Sequence, residues 1–239
     1  MTVSNLERAI DCNARLLPFV VAGEPVEPWA PRTTGSRGVF GLRMRVARRR
    51  LRDERLELRE YRTPRGRPIP SGVPAPRPVV PARGALIVSD MDRADRHLRA
   101  QGVEYASPAP QRLPDGNPTA GGIRAFYFKD PDGHPLEILW FPPDKGDPRW
   151  HRSGDGLFLG IDHTAIGVGD TARSLAGYRD ALGLRLVGER ENWGPEQAYL
   201  NQVAAAHLRV TTRRAAAGPP GIELLEYLAP RDPDRHAPR

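Results

Sequence analysis

Apolar residues fall at helical spacing in three stretches of the chain, and each stretch follows a near-copy of one heptapeptide. The copies are VSNLERA at 3–9, VSDMDRA at 88–94 and VGDTARS at 168–174. Asn5, Asp90 and Asp170 stand at the same place in each, where a short polar side chain caps a helix start. The first helical pattern runs from Leu6 to Leu17, with Leu6, Ile10, Ala14 and Leu17 on one face. The second runs from Met91 to Gln101 and is broken by Gly102; the third runs from Thr171 to Leu182 and is broken by Gly183. Short strands are predicted next, over Phe19–Ala22, Val103–Tyr105 and Leu184–Val187.

Each unit closes on a second shared pattern: Leu56-Glu57-Leu58, Leu136-Glu137-Ile138 and Ile222-Glu223-Leu224. Strand side chains alternate between faces, so the aliphatic pair packs on one face and the glutamate points to the other. By the same parity Glu60 and Glu226 fall on the opposite face, near strand ends and solvated. A strand precedes the heptapeptide at Gly84–Val88 and at Gly160–Val168, whereas only Met1-Thr2 precede the first copy. The repeat therefore reads strand–helix–strand–strand–strand, with one helix-covered sheet face and one open face carrying the glutamate. The first unit is expected to lack its opening strand.

This unit resembles the βαβββ half-module of the vicinal oxygen chelate superfamily, which includes glyoxalase I, extradiol dioxygenases and bleomycin-resistance proteins. The stretches that carry the resemblance are IRAFYFKDPDGHPLEILWF (123–141) and GIDHTAIGVGDTARSLAGYRDALGLRLVGE (160–189). It implies an α+β fold of repeated half-modules, two to a cleft, here as a truncated array. Residues 1–141 are expected to form one module from units one and two. Residues 142–158 form a linker, 159–228 a lone third half-module, and 229–239 a polar tail.

The resemblance also implies a metal site built from an opening-strand residue and a last-strand glutamate of each half. In unit three these positions hold His163 and Glu223, the implied metal ligands. In unit two they hold Arg83 and Glu137; in unit one only Glu57 exists. The first cleft would thus contain Glu57, Arg83 and Glu137, with the Arg83 guanidinium in place of a metal and paired to one glutamate. Imidazole and carboxylate suit Fe, Zn, Mn or Ni, leaving the identity open. Two copies of unit three across a twofold axis would supply two histidines and two glutamates, so a homodimer is expected.

Among the bland alternatives, His134 in the Asp130–Gly133 turn segment reads as exposed, and the pair Trp150-His151 as linker. Phe126, Phe128, Trp140, Trp193 and Tyr199 could line a cleft, although strand aromatics are more often core.

Composition narrows the partners. The net charge is +7, yet Lys129 and Lys145 are the only lysines among 36 basic residues, and the arginines are scattered apart from Arg48-Arg49-Arg50. That distribution argues against a nucleic-acid partner. No apolar run approaches the ~20 residues of a membrane span, and the single Cys12 excludes an internal disulfide and fits the cytoplasm. The expected activity is a divalent-metal-dependent, glyoxalase- or dioxygenase-like reaction on a small oxygenated or aromatic molecule. The alternative is a metal-free protein that sequesters a small ligand, as bleomycin-resistance proteins do.

Overall fold

The three repeated heptapeptides cap three helices by one device. In a computed structural model describing residues 1–26, 41–63, 83–152, 154, 156–216 and 218–230, the side chains of Asn5, Asp90 and Asp170 accept the backbone N–H of Arg8, Arg93 and Arg173, each at 2.9 Å. The helices are α1 (Leu6–Leu16), α2 (Met91–Ala100) and α3 (Thr171–Ala176). The third is shorter than its apolar pattern: Gly177, a weak helix residue, opens a π-helical turn over Gly177–Ala181.

Contacts divide the chain into two units: Met1–Gly72 with Asp130–Gly133, and Val73–Lys129 with His134–Arg239. The first holds a four-stranded sheet in the order β1-β4-β3-β2. Its strands are β1 (Thr2–Val3), β2 (Val20–Val21), β3 (Arg43–Leu51) and β4 (Glu54–Thr63). The opening strand expected to be missing survives as β1, whose two residues pair in parallel with Arg59 and Glu60. Helix α1 packs Leu6 and Ala9 against Ala47 and Leu58. Its buried residues are Leu6, Ala9, Cys12, Asn13 and Leu16; of the expected line, Leu6 and Leu17 are buried, Ile10 packs against the same cluster and Ala14 is exposed. Polarity hid this face in the sequence. Asn13 can be buried because its amide donates to the Ala9 carbonyl at 2.7 Å, which removes the cost of an unpaired polar group.

The second unit holds a nine-stranded sheet in the order β11-β12-β13-β10-β5-β9-β8-β6, with β7 also paired to β8. Its strands are β5 (Arg83–Val88), β6 (Glu104–Tyr105), β7 (Gln111–Arg112), β8 (Arg124–Lys129), β9 (Pro135–Trp140), β10 (Phe158–Gly167), β11 (Arg185–Asn192), β12 (His207–Ala215) and β13 (Gly218–Ala229). A fourth helix, α4 (Pro195–Asn201), connects β11 to β12. The two opening strands, β5 and β10, run antiparallel at the centre. Half-module two therefore joins half-module three in one sheet, whereas chain order pointed to half-module one. The stretch read as linker contributes a 3-10 turn (Pro148–His151), and β10 already begins at Phe158. The Pro-rich segment 64–82 and the tail from residue 231 lie outside the described residues.

On the helix-covered face, Phe126, Phe128, Ile138 and Leu98 are fully buried. The open face carries two apolar groups. Ile87, Ala125, Tyr127 and Leu139 belong to one, and Ala165, Leu208, Val210 and Leu225 to the other. Among the described residues no helix is long and apolar enough to cross a membrane.

The caps give a direct test. Asp90→Ala is expected to cost about 1 kcal/mol, with Asp90→Asn losing much less, because asparagine also caps well. Urea denaturation followed by circular dichroism reads the difference; equal midpoints for the two variants would contradict the assigned role.

Candidate metal centre and cleft

The centre of the large sheet follows from register. His163 on β10 faces Ala85 on β5, and Arg83 faces Ala165, so the two strands cross symmetrically. In parallel with them, Ala85 pairs Glu137 on β9 and Ala165 pairs Glu223 on β13. Positions 83 and 163, and likewise 137 and 223, are thus equivalent in the two half-modules. The Arg83 side chain, and with it the expected ion pair, lies outside the described residues. The small alanines beside His163 let carboxylates from both flanks reach it.

His163 Nε2 lies 3.2 Å from Glu223 Oε2 and 3.6 Å from Glu137 Oε2. It is buried and makes no hydrogen bond. The other ring nitrogen, Nδ1, lies 3.0 Å from Asp162 Oδ2. Glu223 Oε1 accepts from Arg190 and from Thr212, each at 2.9 Å. Asp162 Oδ1 accepts from Trp150 Nε1 at 3.0 Å and from Arg214 at 3.1 Å. His163, Glu137, Glu223 and Asp162 are all buried.

These charges fix one another's protonation. Burial favours neutral imidazole, but the Glu223 carboxylate, then Asp162 and Glu137, outweigh it and raise the His163 pKa to about 10. Burial likewise opposes ionisation of Glu223, yet the Arg190 and His163 charges pull its pKa down to about 2. Asp162 is also held ionised: burial opposes this, and His163 and Arg214 prevail. The protein alone therefore balances its buried carboxylates with an imidazolium and two guanidiniums.

The cluster forms the charged end of a cavity of about 470 Å³, whose other walls include Leu113, Ile123, Tyr127, Leu139, Phe141 and Leu200. Such a cavity suits a small molecule with one polar, oxygen-bearing end and one apolar end.

The predicted residues separate accordingly. His163, Glu223 and Glu137 come together within one chain. Half-module two supplies Glu137 as a third member beside His163 and Glu223. Glu137 belongs to this cluster. Glu57 sits on β4 of the first unit, where it pairs with Arg59 and, at 3.5 Å, with Arg48. Glu60 and Glu226 do lie off the open face, but they are sequestered and not solvated. Glu60 is 3.4 Å from Arg45, and Glu226 accepts the Thr171 N–H at 3.1 Å and lies 3.6 Å from Arg209.

His134 is half-buried rather than exposed. Trp193 and Tyr199 are each 58% exposed, and the cleft aromatics are Tyr127 and Phe141. Sequence reading missed Asp162, Arg190, Thr212, Trp150 and Arg214. Only the Asp162-His163 adjacency offered a signal, and strand alternation argued against it.

Comparison with known proteins agrees with the fold. Residues 160–238 match the sequence model of the Glyoxalase/Bleomycin resistance protein/Dioxygenase superfamily. No curated protein matches the sequence. Two glyoxalase I variants from Zea mays share the fold at 15% identity, with TM-scores of 0.56 and 0.59; the alignments cover 97% of this chain and 66% and 68% of theirs. A Bacillus subtilis protein provisionally assigned as a dioxygenase aligns at 14% identity and TM-score 0.52, over 93% of this chain and 60% of its own. The chain therefore spans about two thirds or less of the length of these structures. At such identities the likeness concerns fold, and the similarity to the Glyoxalase/Bleomycin resistance protein/Dioxygenase superfamily rests on residues 160–238.

Proposed function

We propose that His163, Glu137 and Glu223 hold a divalent metal ion, and that the cleft acts on a small oxygenated molecule in a glyoxalase- or dioxygenase-like reaction. The observation that carries this is His163 Nε2, a buried nitrogen without a hydrogen-bond partner, facing a carboxylate oxygen on either side. One imidazole and two carboxylates make a donor set suited to Fe, Mn, Zn or Ni. When bound, such an ion supplies a Lewis acid that chelates vicinal oxygens and stabilises negative charge developing on them.

The chain's own residues do the rest. Glu137 and Glu223 provide the negative charge that draws a cation into a buried site. Arg190 and Thr212 occupy Glu223 Oε1, which leaves Oε2 turned toward His163. Leu113, Ile123 and Leu139 receive the apolar part of the ligand and exclude water from the polar end.

One observation favours the metal-free alternative. Arg190 already sits 2.9 Å from Glu223, and the protonated His163 lies between the carboxylates, so their charge is answered without an ion. Elemental mass spectrometry of purified protein separates the readings. Near-stoichiometric metal is expected, falling by more than tenfold in His163→Ala and Glu137→Gln. Tight binding of a small ligand by protein free of metal, unaffected by chelator, would overturn the enzyme reading.

Two solution properties follow from the buried charges. Cation binding at neutral pH should release about one proton, since the ligand form of histidine is neutral; calorimetry in buffers of different ionisation enthalpy measures it. In metal-free protein, His163 has a pKa raised from 6.5 to about 10. Its charge therefore contributes stability fully below pH 6.5, and this is lost as pH rises through about 10. The loss of Tm caused by His163→Gln should be largest near pH 6 and shrink by pH 10. A penalty independent of pH would contradict a charged His163.

A further inference from the structure

The antiparallel pairing of β10 with β5 slips at two places, between Phe158 and Gly160 and again between Ile161 and His163. Ile161 faces Leu86 and His163 faces Ala85, so Asp162 has no partner of its own. This is a β-bulge, in which two residues oppose one and a side chain is re-aimed. Adjacent strand residues normally point to opposite faces. Here both Asp162 and His163 line the cleft, and they touch through Nδ1 and Oδ2 at 3.0 Å.

The bulge is braced from outside the strand. Trp150, on the 3-10 turn Pro148–His151, donates its indole N–H to Asp162 Oδ1. Arg149 on the same turn donates to the Ile161 carbonyl at 3.2 Å and lies over the Trp150 ring at 3.8 Å. Arg214 reaches Asp162 Oδ1 and Asp147 Oδ2, each at 3.1 Å, and Asp147 caps the turn through the Arg149 N–H. Every protein partner of Asp162 Oδ1 therefore fixes the carboxylate, and Oδ2 is left for the histidine.

We propose that Asp162 is a positioning residue for the metal centre: the bulge turns its carboxylate onto His163 Nδ1, which fixes the ring so that Nε2 faces the gap between Glu137 and Glu223. This rests on the metal reading of that gap. A carboxylate on the far nitrogen of a ligating histidine sets both ring orientation and tautomer, and its removal costs metal affinity although it never touches the ion. Trp150, Arg149 and Arg214 serve the same end by holding the bulge. A stretch read from sequence as linker thus acts on the centre.

Two readouts test this on the full chain. The first is NMR of the metal-free protein with 15N-labelled histidine. The His163 Nδ1–H signal should be protected from solvent exchange in the native protein and lost in Asp162→Ala. The second is Mn2+ and Zn2+ affinity by calorimetry. Affinity should fall 10–100-fold in Asp162→Ala and Asp162→Asn, and by less in Trp150→Phe, which keeps an aromatic ring and removes one of the hydrogen bonds to Asp162 Oδ1. Trp150→Phe also serves as the milder variant if Asp162→Ala does not fold. A protected signal that depends on Asp162, in a protein that binds neither cation, would refute the metal reading and leave the ring-fixing role standing. Affinities within threefold of the native protein, or a signal indifferent to Asp162, would overturn the positioning role itself.

Discussion

The antiparallel pairing of β5 with β10 is the constraint on which the site depends. Each strand also carries a parallel partner, β9 or β13, with a glutamate at the same register. Once the two strands are adjacent, Glu137 and Glu223 flank His163 without any further folding event. Strands in a sheet lie about 4.8 Å apart, so Glu223 is one strand away and Glu137 two. Both distances are spanned by a glutamate side chain over a neighbouring alanine. The duplicated half-module therefore produces a symmetric framework, and the site arises where the copies meet.

Concentrating three carboxylates at that junction carries a physical penalty. Buried charges are tolerated only when paired and hydrogen-bonded. Arg190 and Thr212 answer one oxygen of Glu223, and Arg214 and Trp150 answer one oxygen of Asp162. What remains is directed at His163 from three sides. The same arrangement that makes the histidine strongly basic also makes it a cation-attracting point, because a proton and a divalent ion compete for one nitrogen. The apolar walls around the cleft lower the effective dielectric and sharpen both tendencies.

Much of this was legible in the sequence. Helix caps at Asn5, Asp90 and Asp170, the strand-borne glutamates and the equivalence of positions 83 and 163 all follow from local periodicity, which a repeat reports three times over. What local pattern does not encode is which copies pair. Chain order suggested units one and two, and only the sheet shows two with three. Asp162 escaped notice for a related reason: alternation assigns it to the face opposite His163, and a bulge reverses that assignment at a single residue. Arg190, Thr212 and Arg214 come from strands whose polar residues look like solvated edges until β11 and β12 fold beside β13. The buried Asn13 shows the same limit at a helix, where a self-satisfied amide passes for a surface residue.

The central claim is that a cation is held where the two half-modules meet. Anomalous diffraction from crystals grown with Mn2+ or Zn2+ and recorded at the metal edge tests it most directly. The account predicts a peak within bonding distance of His163 Nε2 and of carboxylate oxygens from both Glu137 and Glu223. No peak at the cluster in metal-saturated crystals would contradict it.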